Sequence, residues 1–224
     1  MNTHNISRAN KVFAGAYHPG CFNINGAAGA PIGQLAQVSL GTPTVGATTT
    51  LRAAAAQAAA GDVALDSNDL DVARAITITS SGIDTARVFT VTGYDIGGQK
   101  VVETITGVNA GTVAGKKAMK RVESVSVDAA CAGNISVGDS DVLGLPYAVA
   151  RAADVLFQYA DDTEELATST LVVADSATAT ATTGDVRGTL DPNTTLDGSV
   201  EIILWMKADG SSPEALGGVP QYAG

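Results

Sequence analysis

The sequence is poor in the residue types that most catalytic and metal sites use. It contains two histidines, His4 and His18, and two cysteines, Cys21 and Cys131, which stand 110 positions apart. A zinc site needs several Cys and His ligands at close spacing, and a nucleophilic triad needs a histidine base. Both histidines lie in the first twenty residues, and no Gly-x-Ser-x-Gly elbow occurs. We therefore expect no enzymatic activity, no metal and no cofactor.

Long apolar runs are also missing. No stretch approaches the roughly 18 consecutive apolar residues of a membrane span. The polar start Met1–Asn5 is not followed by the apolar core of a signal peptide. The expectation is a chain made in a reducing cytoplasm, without a membrane partner and with both thiols free.

Acidic residues are absent before Asp62. Residues 1–61 carry a net charge of +3 and the remainder −13, within a total of −10. Nucleic-acid binding needs clustered Lys and Arg for the phosphates, so the acidic body predicts no nucleic-acid partner. Aromatic residues make up only 4% of the chain. Because a core of small side chains gains less from burial, we expect association with a partner to supply part of the stability.

Proline is absent from Thr44 to Leu145, so every residue there has a backbone N–H group that can donate a hydrogen bond to a neighbouring strand. Short β-branched runs in this stretch are separated by turn residues, among them Asn109–Gly111. The runs are Ile76–Thr79, Val88–Thr92, Val101–Thr106, Val122–Val127 and Ile135–Val137. They predict an antiparallel β-meander, the core of an all-β antiparallel sandwich with meander or Greek-key-like connections.

Four segments outside the meander have recognisable patterns. Arg52–Ala60 is rich in alanine and predicts a short helix that ends at a glycine. Tyr147–Tyr159 predicts a strand with Val149, Val155 and Phe157 facing inward, and Val200–Lys207 predicts the strongest strand of the chain. Asp162–Glu165 resembles a capping box that starts a single helical turn.

Residues 1–50 lack periodicity and predict an extended, largely irregular N-terminal arm before a sandwich body at 51–224. Pro19, Pro31 and Pro43 interrupt this arm, and glycines recur throughout it. Its apolar residues are dispersed as single anchors, which a disordered linker would have fewer of. We expect the arm to become ordered along a partner; the alternative is a tail or a loop-rich part of the same core. The candidate partner-binding anchors are Phe13, Tyr17, Phe22, Ile24, Ile32 and Leu35.

Three groups of acidic residues are candidate sites. Asp66–Asp71 and Asp139–Asp141 bunch carboxylates but do not match the twelve-residue calcium loop, so solvated turns are favoured over calcium sites. Asp161–Glu165 offers paired carboxylates of the kind glycosidases use. Four adjacent acids on one short turn favour a solvated helix start instead.

One basic cluster stands out in the acidic body: Lys116, Lys117, Lys120 and Arg121 lie within six positions. It predicts either a docking patch for an acidic partner or neighbouring subunit, or a solubilised edge strand on which lysines block unwanted pairing. The sequence leaves both interpretations open.

Several short phrases between residues 74 and 206 resemble virion structural proteins of tailed bacteriophages, in particular capsid decoration (head cement) proteins. They are Ile76-Thr77-Ile78-Thr79, Phe89-Thr90-Val91-Thr92-Gly93, Val102-Glu103-Thr104-Ile105, Gly115-Lys116-Lys117-Ala118, Val122–Val127, Gly133–Gly138, Leu143-Gly144-Leu145-Pro146 and Thr183–Thr189. The arm is not part of the resemblance.

The resemblance implies a β-rich protein without enzymatic activity that binds the outside of an icosahedral head and stabilises the shell. The implied partners are the major capsid protein and neighbouring copies of the chain, often as a trimer. The implied location is the head surface of a virion assembled in the bacterial cytoplasm. Two alternatives stay open: a tail, neck or head-fibre component, and a carbohydrate-binding adhesin module.

Overall fold

A computed structural model describes residues 11–12, 34–161, 164–166, 168–175, 179–208 and 220–222 of the chain. The described residues form fourteen β-strands and one short 3-10 helix, Ala152–Asp154. The strands are β1 Lys11–Val12, β2 Gln34–Ser39, β3 Arg52–Ala56, β4 Gly61–Asp62, β5 Asp69–Ile83, β6 Val88–Tyr94, β7 Lys100–Thr106, β8 Asn109–Val127, β9 Asn134–Gly144, β10 Val155–Ala160, β11 Glu164–Glu165, β12 Thr170–Val172, β13 Thr189–Asp191 and β14 Ile202–Ala208. The predicted all-β fold is confirmed.

The strands form two antiparallel sheets. The large sheet has nine strands in the order β12-β13-β9-β5-β8-β6-β7, with β3 paired to β9 and β4 paired to β8. The small sheet has five strands in the order β1-β2-β14-β10-β11. Within the described chain, no helix has the length and apolar character needed to cross a membrane.

The first hydrophobic core is enclosed by the large sheet itself. Strands β5 to β9 all contribute buried residues to this one cluster, which means that the sheet curls around its own side chains. Burial of each such side chain stabilises the fold by about 1.5 to 3 kcal/mol before entropy is counted. The cluster consists of Leu51, Val63, Leu70, Ile76, Ile78, Phe89, Val91, Val101, Ile105, Met119, Val122, Val125, Val127, Ile135 and Val137.

The second core joins the two sheets. The small sheet contributes Val38, Leu204 and Met206, and the large sheet contributes Leu143 and Leu190. The strand predicted at Val200–Lys207 is confirmed as β14, and its alternate residues Ile202, Leu204 and Met206 are in this core. The arrangement is sandwich-like, with one sheet curled and the other laid against its end strands.

All five predicted strands are present, but their order in the sheet, β9-β5-β8-β6-β7, is not the sequential order of a meander. Several are longer than the sequence indicated. β5 and β8 extend to 15 and 19 residues. The turn predicted at Asn109–Gly111 is wrong, because β8 begins at Asn109 and pairs there with Ile83 of β5. Ala110 has a positive φ of 43°, so this turn-like residue sits inside a strand.

The helix predicted over Arg52–Ala60 is wrong. Its first half is strand β3, in which Arg52 pairs with Val137 and Ala56 with Asn134. A nine-residue helix is marginal without tertiary packing, so pairing with β9 outweighs the helix propensity of alanine. The helical turn predicted at Asp162–Glu165 is also wrong where it is described, since Glu164–Glu165 is strand β11.

The strand predicted over Tyr147–Tyr159 begins only at Val155. Val149 is buried, as expected, but lies before the strand. A shift of register between Val155 and Phe157 inserts Leu156 as an extra residue. A bulge reverses the alternation after it, so Phe157 faces outward with 49% of its surface exposed.

The boundary expected at residue 50 is wrong for residues 34–50, which belong to the body. Strand β2 lies between β1 and β14 in the small sheet, and Val38 and Leu40 are in the second core. Leu35 lies in β2 opposite Lys207. The other anchors, Phe13, Tyr17, Phe22, Ile24 and Ile32, lie outside the described residues.

Candidate functional site

The basic cluster predicted from the sequence lies on β8, at a bulge. Ala75 of β5 pairs with Ala118, whereas Thr77 pairs with Ala114. β5 thus advances by two residues while β8 advances by four, and residues 115–117 form the bulge. Bulges redirect side chains relative to the strand.

The bulge places Lys117 in the protein interior. Its side chain is fully buried, and Nζ donates hydrogen bonds to the carbonyl oxygens of Thr180 at 2.7 Å and Gln221 at 3.0 Å. Burial disfavours the cation and lowers the pKa of Lys117, an effect that the nearby carboxylates of Glu103 and Asp185 oppose. The prediction that Lys117 belongs to a surface patch is therefore wrong.

Glu103 of β7 binds the bulge from the other side. Its carboxylate accepts hydrogen bonds from the backbone N–H groups of Lys116 and Lys117. Pairing of β8 with β6 ends at Arg121, so these amides have no strand partner on that side and the carboxylate takes its place. Burial raises the pKa of Glu103 to about 7, against the lowering effect of the two amides and of Lys117.

Asp185 completes the set of partners around the bulge. One of its oxygens accepts a hydrogen bond from the N–H of Ala118 at 3.0 Å. The other accepts from the N–H of Arg187 at 2.8 Å and from the side-chain amide of Gln221 at 2.9 Å. Burial raises the pKa of Asp185. Arg187, buried as well, forms an ion pair with Asp95 at 2.9 Å.

We refer to Glu103, Lys117, Asp185, Arg187 and Asp95 as the Lys117 cluster. Its carboxylates and cations hydrogen-bond to groups of the same chain and tie β7, β8, the loop 179–188 and the C-terminal residues 220–222 together. An arrangement of this kind fixes structure, because buried charges are tolerated only when they are paired and hydrogen-bonded.

A second buried ionic group surrounds Arg74 of β5. Its guanidinium pairs with Asp139 at 2.9 Å and with Asp71 at 2.8 Å, and it donates to the carbonyl of Thr44. Asp139 also accepts from the N–H of Ala47 at 3.0 Å. We call Arg74, Asp71 and Asp139 the Arg74 cluster. It holds the segment between β2 and β3, in which the chain crosses from the small sheet to the large one.

The interpretation of the acidic groups as solvated turns is therefore wrong for Asp139, which lies in β9 and is buried. Asp141 is nearer the surface and accepts from the N–H of Gly46 at 2.6 Å. In the part of the chain that the structure describes, no group of three or more His, Cys, Asp or Glu side chains is placed to hold a metal ion.

The remaining basic residues of the predicted patch lie near the surface of β8. Lys116 and Arg121 are exposed, and Arg121 approaches Asp69 at 3.8 Å. Lys120 donates to the carbonyl oxygens of Leu70 and Asp71. β6 pairs with β8 only from Arg121 to Val127, so residues 116–120 have a neighbouring strand, β5, on one side only. This agrees with the edge-strand interpretation for the exposed Lys116, but not for the buried Lys117.

The outer face of the small sheet carries aromatic residues that the sequence did not single out as a site. Phe157 of β10 lies opposite Trp205 of β14, and Trp205 lies opposite Gln37 of β2. Tyr159 stacks on Phe157 with ring centroids 6.1 Å apart. Directly opposed residues of an antiparallel pair point to the same face, so these side chains form one surface.

Carboxylates border this aromatic surface. Glu165 of β11 lies opposite Tyr159 and is exposed. Glu201, just before β14, accepts a hydrogen bond from the Ser39 hydroxyl at 2.6 Å, and its N–H donates to Asp161 at 2.8 Å. We call Phe157, Tyr159, Trp205, Glu165 and Glu201 the outer aromatic face.

Two alternations in the sequence point to this face: Glu201, Ile203 and Trp205 along one strand, and Phe157 and Tyr159 along another. The second alternation points to the correct face only with the bulge at Leu156, which the sequence does not show. Comparisons of the chain with protein-family models, with curated proteins and with solved structures find no match.

Proposed function

We propose that the chain is a non-enzymatic structural protein that binds the outer surface of a bacteriophage head and stabilises the shell. The observation that carries the proposal is that buried charged residues connect distant parts of the fold. Arg74, Lys117 and Arg187 hold loops and strands to one another. These contacts fix loops and the segment between β2 and β3 to the large sheet, which stiffens the body as a protein that clamps a shell under internal pressure requires.

The proposed partners are the major capsid protein and neighbouring copies of the chain, with a trimer favoured. The apolar anchors Phe13, Tyr17, Phe22, Ile24 and Ile32 precede β2, which is fixed within the small sheet. Contacts made by residues 1–33 would add to those of the body, and linked contacts raise avidity without a large single interface.

Deletion of residues 1–33 tests the role of the anchors. The deletion also removes the two-residue strand β1, but the described core begins at Val38, so we expect the shortened chain to stay folded, with a β-sheet circular dichroism spectrum and a cooperative urea transition. Binding to purified heads that lack this protein should be lost, as measured by co-sedimentation. A matched control removes only residues 1–10, which leaves all five anchors in place. Full binding by the shorter chain would contradict the role of the anchors.

The full chain itself tests the wider proposal. If it does not bind heads at any concentration up to its solubility, the decoration function is wrong. Gold-labelled antibodies on intact virions provide a second readout, since label on the tail or neck would favour the alternative structural role over the head.

A further inference from the structure

Three aromatic residues of an aromatic-poor chain lie on the outer face of the small sheet, where Phe157 is exposed and Tyr159 and Trp205 are half-buried. The sequence has four Phe, five Tyr and a single Trp, and three of these ten residues, Phe157, Tyr159 and Trp205, share the outer aromatic face. Phe157 is among the most exposed large apolar residues. Clustered exposed aromatic rings are typical of interaction surfaces.

The charge around the rings indicates the chemistry of the partner. Glu165 lies on this face beside Tyr159, Glu201 at its border accepts a hydrogen bond from Ser39, and the body as a whole is acidic. A guanidinium or ammonium group over an aromatic ring gains from the ring quadrupole, and a carboxylate beside the ring adds a charge-assisted hydrogen bond. The same carboxylates repel phosphates and acidic peptides.

We propose that the outer aromatic face binds a basic, apolar segment of a shell subunit. Arginine or lysine side chains of that segment lie over the rings of Phe157 and Trp205, and Glu165 pairs with them. That the segment comes from a shell subunit rests on the function proposed above. That the segment is basic and apolar rests only on the outer aromatic face.

Binding to purified heads tests the proposal with two variants, Phe157→Ala and Glu165→Gln. Each should weaken binding by about tenfold or more, as truncation of a central interface residue typically does. The matched controls are Ile83→Ala, an exposed apolar residue at the end of β5, and Glu123→Gln, an exposed acid on β8. Both controls should bind as the unmodified chain does. Equal binding by all four variants would overturn the proposal.

Trp205 allows the face to be tested without heads, because it is the only tryptophan. The probe is a Trp-free peptide of alternating arginine and leucine, with a glutamate-for-arginine peptide as its control. The basic peptide should change Trp205 emission, the acidic one should not, and Phe157→Ala should weaken the response about tenfold. No response, or an equal response from Phe157→Ala, would contradict the basic-segment assignment.

The two assays separate the two proposals. If the full chain does not bind heads but the basic peptide gives a response that depends on Phe157, the decoration function is wrong and the segment does not come from the shell. The inference that the face binds a basic, apolar segment would still stand. If deletion of residues 1–33 alone shifts Trp205 emission, the occupant is the chain's own N-terminal segment, and the shell assignment is overturned.

Discussion

Glu103 should make the stability of the fold depend on pH near neutrality. Its folded pKa is raised to about 7 from 4.5 because its carboxylate is buried between β7 and the β8 bulge. The stabilising contribution of the protonated group is fully present below pH 4.5 and is lost as the pH rises through about 7. A difference of this size corresponds to about 3 kcal/mol in the free energy of unfolding.

The variant Glu103→Gln isolates this contribution, because glutamine stays neutral at every pH. It replaces one acceptor oxygen by an amide, so we expect a pH-independent cost of about 1 kcal/mol from the bond to Lys116 or Lys117. Urea unfolding of both proteins at pH 5, 6, 7 and 8 gives the difference between their stabilities. The unmodified protein should lose its advantage as the pH rises and should become the less stable of the two.

Parallel stability profiles of the two proteins between pH 5 and 8 would refute this reasoning. They would mean that Lys117 and the backbone amides already keep Glu103 ionised at pH 5, so that Coulombic attraction outweighs desolvation in this cluster.

Two further predictions concern stability. Arg74→Met should lower the free energy of unfolding by about 3 to 5 kcal/mol, because it leaves the buried carboxylate of Asp139 without its cation; a loss under 1 kcal/mol in urea unfolding would contradict the assigned role. Gly138→Ala should cost more than about 3 kcal/mol, since a Cβ there would overlap the carbonyl of Ala47. Gly111→Ala meets only ordinary contacts and serves as the control; thermal melting that places both variants at the same midpoint would refute the close-approach argument.

Local sequence patterns correctly predicted the strands whose intrinsic preference and tertiary packing favour the same structure. The runs at Ile76, Phe89 and Ile135 alternate or are β-branched and lie in the centre of the large sheet, so local preference and tertiary packing agree there. Arg52–Ala56 is the opposite case. Its alanines favour a helix, and only the partner strand β9, more than 70 residues away in sequence, makes it a strand.

Lys117 shows why the candidate sites could not be predicted in the same way. A lysine beside three other basic residues indicates a surface, since a buried ammonium group is costly. The bulge in β8 and the carbonyl groups of Thr180 and Gln221, over 60 and 100 residues away, provide the buried environment. Nothing within ten residues of Lys117 encodes those acceptors.

The amino-acid sequence alone determined that this chain is built of antiparallel strands, because β-branched alternation and turn residues act over a few positions. Only the tertiary structure decided which charges are buried and which aromatic residues meet on the outer aromatic face. Both depend on bulges, with one extra residue at Leu156 and two in β8, and on partners supplied from distant strands, and neither effect leaves a local signal in the sequence.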